Sequence, residues 1–88
     1  MKTFKDLEFS NMDSFPYNEW ARLYFDNGWG VSVVRGPHTY GGPAGLYELA
    51  VLKDGHLHYE NEVAKGDVVG HLTPEEVTDA MKLVQGFE

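Results

Sequence analysis

The sequence has no cysteine, few cations and no long apolar run. Without cysteine there is no disulfide framework, no thiolate nucleophile and no Cys-ligated zinc. Seven Lys and Arg stand against 14 Asp and Glu in 88 residues, a formal net charge of −7. Affinity for a phosphate backbone is built from clustered Lys and Arg, so direct nucleic-acid binding is not expected. No apolar stretch approaches the roughly 20 residues of a membrane span. None follows Met1 closely enough to make a secretory signal, so the expected location is the cytoplasm, with no membrane partner.

What is present suits one small folded domain spanning residues 1–88. Hydrophobic residues make up 42% and aromatics 14% of the chain, too much for a disordered segment. Phe4, Leu7 and Phe9 alternate loosely enough for a short strand within residues 2–10, and residues 11–18 read as a loop. Residues 1–19 are thus expected to be a loosely attached strand and loop.

Two strand-like runs follow, residues 20–26 and 29–35, separated by Asn27-Gly28. That dipeptide signals a two-residue type I′ hairpin, which would set Phe25 opposite Gly30 and Tyr24 opposite Val31. Apolar residues fall on both faces of this hairpin, which predicts that it is central or covered on both sides. Residues 46–53 read as a third strand and Asp54-Gly55 as a second tight turn. Residues 56–60 read as a fourth strand, with Leu57 and Tyr59 on one face and His56, His58 and Glu60 on a wet face. Val68 and Val69 suggest a short edge strand. Thr73-Pro74-Glu75-Glu76 then carries an N-cap, a proline at the first helical position and a capping-box glutamate. Val77, Ala80, Met81 and Val84 form one apolar helical face, and Gly86 marks the stop. Strands first and a helix last predict an α+β fold: an antiparallel sheet of four to five strands with one C-terminal helix packed on a face.

No motif for chemistry survives inspection. The glycine-rich loop at residues 36–45 contains no Lys and leads into a strand, unlike a phosphate-binding loop that opens a helix. It reads as a shaped connection that offers Arg35, His38 and Tyr40 as contact residues. His56 and His58 could share a metal with Glu60, but a zinc site needs further ligands, and a solvated strand face explains them. No serine has a nucleophile-elbow context, and Glu75 and Glu76 already have a role at the helix start. No enzyme activity, metal or cofactor is therefore expected.

The acidity is uneven. Residues 1–47 carry five acids and four bases, whereas residues 48–88 carry nine acids and three bases. Glu60, Glu62, Asp67, Glu75, Glu76 and Asp79 would form one anionic surface if the helix start lay beside the loop after the fourth strand. Such a surface suits electrostatic docking to a basic protein. Of the aromatic residues, most are expected in the core or on strand faces, and exposed ones would make interface anchors.

Residues 27–36 (Asn-Gly-Trp-Gly-Val-Ser-Val-Val-Arg-Gly), Tyr40-Gly41-Gly42, residues 45–52 (Gly-Leu-Tyr-Glu-Leu-Ala-Val-Leu) and residues 70–77 (Gly-His-Leu-Thr-Pro-Glu-Glu-Val) resemble a group of short uncharacterised tailed-bacteriophage proteins. The resemblance spans about residues 23–84 and carries no catalytic residue. It implies an accessory phage protein acting inside a bacterial cell. By analogy with anti-CRISPR and other anti-defence inhibitors, the expected partner is a basic host protein, such as a CRISPR effector or another nucleic-acid-binding complex. The competing expectation is a structural or assembly protein, a homo-oligomer or virion component.

Overall fold

The computed structural model describes residues 1–11 and 19–88. The fold is α+β, an antiparallel sheet with one C-terminal helix packed against it. The strands are β1 (Ser10–Asn11), β2 (Glu19–Tyr24), β3 (Trp29–Arg35), β4 (Tyr47–Lys53), β5 (His56–Leu57) and β6 (Val69–Leu72), and the helix is α1 (Pro74–Gln85). The strand beyond the expected four to five is β1, whose two residues are too short to leave a periodic pattern, and the predicted fourth strand pairs only over its first two residues, as β5. The sheet runs β1-β2-β3-β4, and the outer edge of β4 is shared between β5 and β6.

The helix forms where the sequence placed it. Thr73 Oγ1 accepts from Glu76 N at 3.2 Å, and Glu76 Oε1 accepts from Thr73 N at 3.0 Å, closing the capping box. Val77, Met81 and Val84 are fully buried against the sheet. We expect Thr73→Ala to cost about 1 kcal/mol in urea unfolding, because the Glu76 N–H at the helix start loses its side-chain acceptor. A loss indistinguishable from zero would mean that water replaces the cap without penalty.

The hairpin between β2 and β3 differs from the expected one. Tyr24 pairs with Gly30 and Leu23 with Val31, one residue away from the type I′ register. Phe25 N donates to Trp29 O at 2.7 Å and Gly28 N to Phe25 O at 3.2 Å, so the loop holds three residues. Only Gly28 takes a positive φ, +85°, whereas type I′ needs two such residues. The cause is tertiary. The Asn27 amide donates to the carbonyls of Val84, Gln85 and Phe87 at 3.0, 3.1 and 3.0 Å, and its Oδ1 accepts from Trp29 N at 3.1 Å. Asn27 thereby closes the end of α1. Tyr24, not Phe25, covers Gly30: a Cβ there would meet the Tyr24 ring at 2.8 Å. At Asp54-Gly55, by contrast, both residues have positive φ (+50° and +85°), and the two-residue turn forms as expected.

The N-terminal segment is not loose over residues 1–11. Residues Phe4–Asp6 form a 3-10 turn, with no strand before Ser10. Phe4 N donates to Thr78 Oγ1 at 3.0 Å, and Gln85 exchanges hydrogen bonds with the Lys2 backbone, both at 2.8 Å. Phe4 and Phe9 pack on Tyr47 with ring centroids 5.1 and 5.5 Å away. The expected loop lies mostly at residues 12–18, outside the described residues.

Register sorts the central strands into two faces. Ala21, Val33 and Leu49 align, as do Leu23, Val31 and Val51, and these join the core beneath α1. The opposite face carries the rows Trp20–Val34–Glu48, Arg22–Ser32–Ala50 and Tyr24–Gly30–Leu52. The helix contacts the sheet from one side only, and the β2–β3 hairpin lies inside the sheet, so its apolar residues on both faces reflect a central position and not a second covering layer. No helix among the described residues is long and apolar enough to cross a membrane.

Candidate functional site

The expected acidic residues are all exposed, but the fold divides them. Glu75 and Glu76 lie in the first turn of α1 and Asp79 in the next, while Glu60 and Glu62 share a groove with Gly86, Phe87 and Glu88 just beyond the helix end. A helix of this length separates its two ends by about 18 Å. The premise of one anionic surface fails because the helix end, not its start, sits beside the chain after β5. Glu76 is also occupied by the cap, and Asp67 Oδ1 accepts from Val68 N at 2.7 Å.

The groove at the helix end has a built floor. Asn61 Oδ1 accepts from Val63 N and Ala64 N at 3.0 and 2.7 Å, and its amide lies 3.1 Å from both the His58 carbonyl and His58 Nδ1. These bonds fix the turn that displays Glu60 and Glu62. His58 stands edge-on to Trp29 at 4.8 Å, and Phe87 does the same from its own side at 4.8 Å. Lys53 Nζ lies 4.9 Å from the Trp29 ring centroid. Trp29 is only 7% exposed, and its indole N–H has no acceptor. The groove encloses about 490 Å³ between this aromatic floor and the carboxylates of Glu60, Glu62 and Glu88. Among the described residues, no three His, Asp or Glu side chains converge as a metal set.

His58 inverts the expected faces of the fourth strand. It packs inward on Trp29, while Leu57 and Tyr59 are 52% and 39% exposed on the helix-free side. The alternation is real, but strand pairing ends at Leu57, and a half-buried imidazole takes the inward position that an aliphatic side chain would normally fill. Sequence reasoning also missed the helix-free face. Trp20 and Tyr24, 37% and 48% exposed, flank Arg22 on β2 there, and Trp20 and Arg22 line a concavity of about 660 Å³ with Leu57 and Tyr59. The alternation of Trp20, Arg22 and Tyr24 with Ala21 and Leu23 was the available signal.

The three loop residues divide as well. Arg35 is held by Glu19 at 2.7 Å, by the Gly45 carbonyl at 3.2 Å and over the Tyr47 ring at 4.7 Å. Its hydrogen bond to Glu19 raises the guanidinium above the ordinary arginine range against the opposing effect of burial. A raised cation keeps its stabilising charge until pH passes that range, so Arg35 stays charged at any working pH. It braces the loop. Tyr40 is 57% exposed, yet its backbone is pinned, donating to Glu48 Oε1 at 3.1 Å and accepting from His71 N at 3.0 Å. His38 lies on the same exposed loop. Thr39 is buried beneath them, its hydroxyl bonded to the Gly36 backbone at 3.0 Å. Comparison with family models, with curated proteins and with solved structures finds no match for this chain.

Proposed function

We propose that this chain is a binding protein that acts by contact, occupying a basic surface of a host protein in the manner of a small phage-encoded inhibitor of a nucleic-acid-handling complex. The observation that carries this reading is the groove at the helix end. Its aromatic floor of Trp29, His58 and Phe87 suits the aliphatic stem of an Arg or Lys, and Glu60, Glu62 and Glu88 at its rim suit the cationic head. The helix carbonyl end adds negative potential at the same place. The only ion pair among the described residues is Arg35–Glu19, so none of these three carboxylates is already paired with a cation.

Reversing Glu60 and Glu62 together to Lys is expected to weaken partner binding at least about tenfold at low salt, with the difference shrinking as salt rises. The assay is affinity capture from a bacterial lysate followed by titration of the captured protein against its own nucleic acid. A captured protein that still binds nucleic acid while this chain is bound, or an affinity unmoved by reversal and by salt, would sink the proposal.

A further inference from the structure

We infer that the helix-free face of the sheet is a self-association surface, and that its occupant is a second copy of this chain. Trp20, Leu57 and Tyr59 are large apolar side chains between 37% and 52% exposed, gathered around one concavity of about 660 Å³, and Tyr24, 48% exposed, lies on the same face along β2. Monomeric proteins seldom leave such a contiguous patch in water. Among the described residues only two charged side chains line it, Arg22 and Glu48.

Those two charges choose the occupant. Arg22 stands in the middle of the apolar surface and forms no ion pair among the described residues. A basic host surface placed here would bury like charges together, so this face does not serve the partner proposed above. A second copy supplies what Arg22 lacks. Arg22 on β2 and Glu48 on β4 flank β3, one residue row apart on the same face. Two strand spacings across and two residues along put their Cα atoms about 12 Å apart. A two-fold axis lying in the interface and crossing β3 between Ser32 and Val34 sets Arg22 of each copy over Glu48 of the other. The contact is isologous and closes on itself. Glu48 is already oriented for it, because its Oε1 is held by Tyr40 N at 3.1 Å.

Sedimentation equilibrium tests this through a charge swap. The wild-type chain is expected at twice its 9.9 kDa mass. Arg22→Glu gives each dimer two facing acid pairs, and Glu48→Arg gives it two facing base pairs. Each variant alone should raise the dissociation constant at least about a hundredfold. Mixed in equal amounts they should dimerise again, since both contacts are then oppositely charged, and that recovery also shows that both variants fold. A wild-type monomer throughout the micromolar range, or a mixture that stays monomeric, overturns the proposal. A monomer whose Trp20→Ser variant loses a captured host protein overturns it too, by giving the face to a foreign partner. Loss of host binding by the Glu60 and Glu62 reversal leaves the dimer intact, so the two proposals fail separately.

Discussion

Asn27→Asp is expected to destabilise the chain by about 3 kcal/mol in urea unfolding, clearly more than Asn27→Ala. The amide now reaches three carbonyl oxygens at the end of α1, all within 3.1 Å. Alanine takes the amide from all three, and only Val84 O keeps a backbone donor, Phe87 N at 3.1 Å, so the loss is about 1.5 kcal/mol where water can partly replace it. Aspartate does more harm. It keeps the size, removes the donors and sets a carboxylate against the negative end of the helix dipole. Its Oδ1 can still accept from Trp29 N, a bond that Asn27→Ala loses, so a larger loss for aspartate than for alanine arises from the helix contact and not from the turn. Equal losses for the two variants would show that the amide carries no such role.

Gly42→Ala is the second large effect. A Cβ at Gly42 would fall 1.7 Å from the Gly36 carbonyl oxygen and 2.4 Å from Thr39 Oγ1. That carbonyl already accepts from Thr39 N at 3.2 Å and from Thr39 Oγ1 at 3.0 Å, so neither obstacle can yield without opening the loop. The expected cost is about 3 kcal/mol or more. Gly45→Ala is the control. Nothing lies within 4 Å of its Cβ, and its φ of +79° alone costs about 1 kcal/mol. Thermal unfolding of both variants checks this. Similar midpoints would mean that the loop is not built on the packing of Gly42.

These two residues mark where sequence reading succeeds and where it stops. The helix was legible because cap, proline, glutamate and apolar face are all local and agree. The Asp54-Gly55 turn was legible because nothing else competes for Asp54. Asn27-Gly28 carries the same local signal, yet the Asn27 side chain is claimed by residues almost sixty positions away, and the register shifts by one. The glycine-rich loop read correctly as a connection, but not as one packed on β6, where a Cβ on Gly70 would lie 2.3 Å from Tyr40 Cβ. For the candidate site, exposure of Glu60, Glu62, Asp67, Glu75, Glu76 and Asp79 was legible and their grouping was not. Composition counts charges along a chain, whereas grouping depends on which end of a helix meets which turn. The helix-free face was hidden by the size of Trp20 and Tyr24, which look like core residues until strand register shows them opposite the helix.

The outer strands decide what kind of aggregate this sheet can build. Unpaired strand edges are templates for further strands, and long flat ones propagate into fibres. Here β1 and β5 offer two residues each, and β6 is bent by His71 at φ +58° with a register shift against β4. A fresh strand therefore finds no straight ladder to extend on any of these three. Edge growth on these strands is hindered, which leaves the broad face and the Ala21–Tyr24 edge of β2, unpaired by any strand among the described residues, as the places where copies can meet.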